Sequence, residues 1–330
     1  MRKSGSDHNA GQYMQTQDFD VLEHAANWCQ QDEPVWLCTI VAAIGSSPRP
    51  VGSLLVCHND GRQVGSVSGG CVEEDLLQRL RNGEFTGVKP HIIEYGITAE
   101  ENERLGLPCG GRLHLLVQTL GQPDLDWLSP VLESLEQRHT CRRQLDLVSG
   151  ETTLLQVPQF TPLHLDSQSL QQCFGARMRM LLVGAGQLAQ SLAELATAMD
   201  YEVIVTDPRR EILAQWEGPT VPLIQGMPDD IVREQAADKH SIIITLTHDP
   251  RIDDMALMEA LTTDAWYIGA LGSKRTTQNR LLRLTQLGLT EGEIAKLHAP
   301  VGLDIGSKTP IEIAVAIMAE LTRLRRRPEG

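Results

Sequence analysis

The sequence predicts an α/β protein in two parts, a small N-terminal α/β domain followed by a C-terminal domain built on a parallel sheet. Three observations predict it. Short β-rich runs alternate with segments of helical spacing along most of the chain. The segment MRMLLVGAGQLAQSLAELATAMDYEVIVTDP, from Met178, reads strand, glycine turn, helix, strand, and further strand–helix pairs follow it. With 330 residues, 41% hydrophobic and 22% charged, the chain is long and apolar enough to bury two cores.

Taken in order, residues 1–17 are polar, with no apolar run, and read as a flexible tail that is neither signal peptide nor anchor. The N-terminal domain spans 18–120. Val21, Leu22, Ala25, Ala26 and Trp28 recur at helical spacing, and VWLCTIVAAIGS (35–46) reads as a strand ended by the loop GSSPRPVG. SLLVCHNDGRQVGSVS reads as a hairpin turning on Asn59, Asp60 and Gly61. The turn Ser68-Gly69-Gly70-Cys71 then leads into VEEDLLQRLRNG, which has helical spacing and a glycine stop. PHIIEYGI and GRLHLLVQTL are two more strands, separated by a stretch ending in Cys109, Gly110 and Gly111.

Residues 121–176 carry less pattern: a helix with an internal proline, LDWLSPVLESLEQ, then a polar strand-like stretch. They read as a segment connecting the domains. The second domain covers 177–330. Its first turn has the spacing Gly184-x-Gly186-x-x-Ala189, the alanine-ended form of the dinucleotide fingerprint, so the domain reads as Rossmann-like. Asp207 ends the next strand about 20 residues on, where a carboxylate accepts ribose hydroxyls. SIIITLTHD ends in Thr247, His248 and Asp249, and AWYIGALGSKR ends in a turn followed by Lys274 and Arg275. At the last helix, Thr309 and Glu312 form a capping box around Pro310.

Strand ends of open parallel sheets face the ligand crevice, which makes His248, Lys274 and Arg275 candidates for contacts to phosphate. A solvated loop histidine and a solvated helix start are the plain alternatives. For Ser68, Gly69, Gly70 and Cys71, close backbone approach at a helix N-terminus suits an anion or a thiolate. The alternative is a tight turn with Cys71 as a small apolar filler. Formal net charge is −14, which excludes nucleic acid or an anionic membrane as the main partner. Seven scattered cysteines without a CxxC pair form neither a disulfide framework nor a zinc site, and no metal ligands are assigned. No run reaches the roughly 18 apolar residues of a spanning helix, so the cytoplasm is the expected compartment.

Nine stretches in order, GSSPRPVGSLLV, GSVSGGCVEEDL, YGI, GLPCGGRLHLLVQ, LLVGAGQLAQSLAELA, VIVTDPR, TLTHDPRIDD, YIGALGSKR and GLDIGSKTPIEIAVAIMAEL, resemble the XdhC/CoxI family from about residue 20 to 325. Many members carry His where this chain has Gln187, and residues 121–175 match no family pattern. The resemblance implies an accessory protein of xanthine dehydrogenase-type molybdenum hydroxylases, more a maturation factor than a catalyst. It implies a chaperone that binds molybdenum cofactor, as the pterin phosphate or extended to a dinucleotide, supports its sulfuration and delivers it to an apo client enzyme. A cysteine desulfurase is the implied sulfur source, and the oligomeric state, a homodimer included, is left open. On that reading Cys71 and Cys109 are the candidate sulfur or cofactor contacts, and Ser68, Gly69, Gly70, Cys71, Gly110, Gly111, Gly184, Gly186, Asp207, His248, Lys274 and Arg275 the candidate cofactor-binding set. The alternative is an NAD(P)-dependent oxidoreductase on the Rossmann-like domain, with His248 as its proton donor. It gives no account of the two Gly-Gly-flanked cysteines.

Overall fold

The computed structural model describes residues 16–32, 35–44, 49–105, 111–158 and 160–326. The chain divides into two compact units, residues 1–176 and 177–330.

The first unit contains α1 (Thr16–Cys29), β1 (Val35–Ile44), β2 (Leu54–His58), β3 (Gln63–Gly65), α2 (Cys71–Arg81), β4 (His91–Tyr95), α3 (Ala99–Arg104), β5 (Arg112–Leu120), α4 (Leu125–Glu136), β6 (Cys141–Asp146), β7 (Thr152–Gln156), β8 (His164–Leu165) and β9 (Ser169–Phe174). α1 thus begins inside the span read as a tail; residues 1–15 lie outside the described residues. β3-β2-β1-β5-β4 form one sheet, with every neighbouring pair antiparallel. β1 is buried along its first seven residues. Both of its faces are covered, which is why it reads as a continuous apolar run rather than an alternation. Val35 and Leu37 face a core shared with α1 and α4, while Trp36, Cys38 and Ile40 face a second core with α2.

Residues 121–176 are more than a connection. They hold α4 and a four-stranded antiparallel sheet, β7-β6-β9-β8. Trp127, Leu128, Val131, Cys141 and Phe174 lie in the α1 core. Arg143, on β6, is fully buried; it donates to Gln172 Oε1 at 3.0 Å and to Thr39 Oγ1 of β1 at 2.9 Å. Its guanidinium lies over Trp127 and Phe174, and burial pushes its pKa down to about 10. A stretch such as RRQLD looks solvent-facing because its partners stand about a hundred positions earlier.

The second unit contains β10 (Arg179–Val183), α5 (Gln187–Ala198), β11 (Glu202–Thr206), α6 (Arg210–Leu213), β12 (Leu223–Ile224), α7 (Pro228–Gln235), β13 (Ser241–Thr245), α8 (Pro250–Ala260), β14 (Tyr267–Ala270), α9 (Lys274–Gln286), α10 (Glu291–Ile294), β15 (Leu297–His298) and α11 (Pro310–Arg326). The sheet order is β12-β11-β10-β13-β14-β15, all parallel. In terms of this unit's own strands that is 3-2-1-4-5-6, the doubly wound Rossmann order. The mixed α/β class with a parallel second sheet therefore stands. The order reverses between β10 and β13, so their adjacent C-terminal ends open a crevice. No described helix is long and apolar enough to cross a membrane.

Candidate functional site

At that switch point lies a cavity of about 420 Å³, lined among others by Gly184, Gly186, Gln187, Arg209, Thr247, His248 and Lys308. The two fingerprint glycines do different jobs. Gly184 has φ +114°, and a Cβ there would sit 2.9 Å from Thr247 Cγ2 and 3.1 Å from Thr247 N. It is a glycine because the loop after β13 passes too close for a side chain. Gly186 is the N-cap of α5, with φ −79°, and a Cβ there would meet nothing within 4 Å. Its missing side chain leaves open space beside unpaired N–H groups at the start of a 12-residue helix.

The β13 loop is fixed from below. Thr247 donates its hydroxyl (2.7 Å) and its N–H (3.2 Å) to Asp253 Oδ1 on α8. Asp253, buried, pairs with buried Arg280 of α9 at 2.9 Å, and Arg283 forks onto Asp254 at 2.5 and 3.1 Å. Asp249 caps α8 by accepting from Arg251 N–H. Between these anchors His248 is exposed and held at φ +62°, an uncommon conformation for a side-chain-bearing residue. α11 reaches the cavity with Pro310 and Ile313, and the loop before it with Lys308. Its position is set by Glu320, which accepts from Tyr267 Oη at 2.9 Å and Gly302 N at 2.6 Å.

Asp207 differs from the expected ribose acceptor. It is fully buried, and its carboxylate accepts from Ala185 N, Arg209 N, and Arg209 Nε and Nη2. Burial opposes ionisation, but the Arg209 hydrogen bonds outweigh it and hold the carboxyl below its ordinary range. Arg209, not Asp207, faces the cavity.

In the first unit the Ser-Gly-Gly-Cys turn is occupied from within the chain. Glu73, in the first turn of α2, folds back under it. Oε1 accepts from Ser66 Oγ (2.7 Å), Val67 N (2.9 Å), Ser68 N (2.8 Å) and Gly69 N (3.0 Å). Oε2 accepts from Gly70 N (3.0 Å) and from Ser68 Oγ. The backbone donors assigned to an external anion are therefore engaged by a carboxylate of the turn's own helix. Burial would raise the Glu73 pKa; the bonds from Ser68, Ser66 and Gly69 outweigh it and hold it at about 2. Gly69 and Gly70 have φ +89° and +154°, and Cβ atoms there would meet nothing within 4 Å. Cys71 opens α2; its side chain lies outside the described residues, as do Cys109 and Gly110. Gly111 is buried, and its carbonyl would stand 2.2 Å from a Cβ on Gly96, which explains the glycine in YGI. Val67 and Val72, around the Cys71 turn, share a core with Leu105 and Leu113, which bracket the Gly110 stretch.

The structure thus gathers Gly184, Gly186 and His248 around one cavity and sets Asp207 beneath Arg209. Lys274 and Arg275 are exposed on the first turn of α9 and are not among the residues lining it. Sequence reasoning missed Lys308 and Glu73. The signals were the Lys directly before the α11 capping box, and a Glu three residues after the α2 N-cap, the spacing of a back-reaching carboxylate.

Two family models match the chain: one described as the XdhC Rossmann domain over residues 180–321, and one as the XdhC and CoxI family over residues 28–96. The chain is 29% identical to a Bacillus subtilis protein named as a probable xanthine dehydrogenase subunit, over 90% of this chain and 94% of that protein. It is 28% identical to the molybdenum cofactor insertion chaperone PaoD of Escherichia coli, over 94% and 89% respectively. A crystal structure of a xanthine dehydrogenase from Bacillus halodurans superposes with a TM-score of 0.76 at 26% identity, covering 96% of this chain and 97% of that one.

Proposed function

The chain belongs to the XdhC and CoxI family, and on that premise we propose that it is a chaperone that binds molybdenum cofactor, supports its sulfuration and passes it to an apo molybdenum hydroxylase. A relative similar over almost its whole length bears the name of such an insertion chaperone. The observation that carries the reading is the switch-point crevice, where an open glycine at the α5 N-terminus stands with Arg209 and Lys308 in one cavity. The cargo is a pterin that carries a phosphate, and this is a donor set for phosphate: helix N–H groups, a guanidinium and an ammonium. Gly186 lets the phosphate reach the backbone, and Arg209 and Lys308 balance its charge. Gly184 keeps the β13 loop close enough to form the wall.

Cys71, with Cys109 as a second thiol, is the proposed contact to the sulfur ligands of the cargo. Since Glu73 already engages the donors of the turn, the turn's part is to set the start of α2, which opens with Cys71, rather than to bind phosphate. Of the oxidoreductase alternative, only the form that reads the ribose diol of NAD loses support, because Asp207 is engaged by Arg209 where the diol would need it.

The test is the small-molecule content of protein purified from cells that make the cofactor. Oxidised pterin should be released in near-stoichiometric amount, and nicotinamide nucleotide should not. Gly186→Val, which fills the open space without touching the protein core, should retain about a tenth or less of the pterin, and Cys71→Ser should activate an apo client poorly at equal protein. Nicotinamide without pterin, or pterin undiminished in Gly186→Val, would sink the reading.

A further inference from the structure

Asp207 stands at the end of β11, where dinucleotide-binding sheets use a carboxylate to accept the hydroxyls of a ribose. Here both of its oxygens are taken. Oδ1 accepts from Arg209 Nε at 2.8 Å and Arg209 N at 3.0 Å; Oδ2 accepts from Arg209 Nη2 at 2.8 Å and Ala185 N at 3.2 Å. A guanidinium has five N–H groups, and two of these are on Asp207, so three remain to donate. Asp207 is fully buried, while Arg209 lines the cavity. A diol needs acceptors for its hydroxyl protons, and here the Asp207 acceptors are taken while Arg209 lines the cavity as a donor, with the Asp249 and Glu211 carboxylates acting on it from outside the lining. A phosphate monoester needs donors and negative-charge compensation, and a fixed guanidinium supplies both. Lys308 in the same cavity adds a second cation.

We propose that Arg209, positioned by Asp207, makes this crevice select ligands with a phosphate monoester at the β11 end over ligands that present a ribose diol there. On the carrier reading above, on which this last step rests, the cargo is the phosphomonoester form of the pterin cofactor, without an appended nucleotide.

NADP⁺ and NAD⁺ probe the selection directly, because they differ by one 2′-phosphate. In calorimetry on the intact chain, NADP⁺ should bind roughly tenfold or more tighter than NAD⁺. Arg209→Ala removes the fork and frees the Asp207 carboxylate, so the preference should invert toward NAD⁺, a result that loss of folding would not produce. Arg209→Lys keeps the charge without the fork and should retain only part of the preference. Equal affinities in the unaltered protein, tighter NAD⁺, no measurable binding of either, or an unchanged preference in Arg209→Ala would overturn the proposal. Loading with the phosphomonoester and the nucleotide-extended pterin separates the two levels. If the NADP⁺ preference holds but the extended form loads as well or neither form loads, the cargo reading fails and the selection by Arg209 stands. If pterin loads but the nucleotide preference is absent, the selection fails and the carrier reading stands.

Discussion

Protonating Glu73 would strip Val67, Ser68, Gly69 and Gly70 of the acceptor their N–H groups share. A folded pKa of about 2 against an ordinary 4.5 corresponds to about 3 kcal/mol of stability. The folded value is depressed, so the contribution is fully present above the unfolded pKa and is lost as pH falls from there toward 2. Glu73→Gln places a neutral amide, half of it a donor, among six donors, and should cost about 2–3 kcal/mol at pH 7. The gap between the two proteins in urea denaturation should narrow by about 1 kcal/mol between pH 6 and pH 3.5. Equal stabilities at pH 7, or a gap independent of pH, would show that the carboxylate does not hold the turn.

At the scale of elements, the loop after β13 and the turn before α5 are fitted to each other through Gly184. Gly184→Ala puts a methyl group 3.1 Å from the Thr247 backbone nitrogen, at φ +114°. We expect it to lose about 2 kcal/mol or more of folding stability, read as a lowered melting temperature. A variant as stable as the parent would mean the loop yields, and that Asp253 does not pin Thr247 as tightly as its 2.7 Å bond implies. Much of this architecture was legible in order: strands of the second unit as apolar runs, α5 from the glycine turn before it, α11 from its capping box, the hairpin from Asn59-Asp60-Gly61. What was not legible is long-range. The Asp253–Arg280 pair joins two helices 27 positions apart, and Arg143 finds Thr39 across 104. Local pattern marks such residues as solvated, because only the fold brings their partners. The candidate site was half legible for the same reason. Gly184, Gly186 and His248 follow from strand–turn spacing, whereas Lys308 comes to the cavity from the loop before the last helix of the chain and Glu73 turns back into its own N-terminal loop.

At the scale of the whole molecule, four hydrophobic clusters among the described residues each stay within one unit: three draw on residues 19–174 and one on residues 181–299. A chain ending at Ala176 and a chain starting at Arg177 should therefore each fold, with its own cooperative thermal transition by circular dichroism. A fragment that stays unfolded would show that its core depends on the other unit. The parallel sheet has a further consequence. It closes on both sides with strands of two residues, Leu223–Ile224 and Leu297–His298. Edges so short give a stray strand almost no main chain to hydrogen-bond, so this sheet is guarded against edge-to-edge aggregation, and any second copy seated on this unit must be held by side chains rather than by a shared β-sheet.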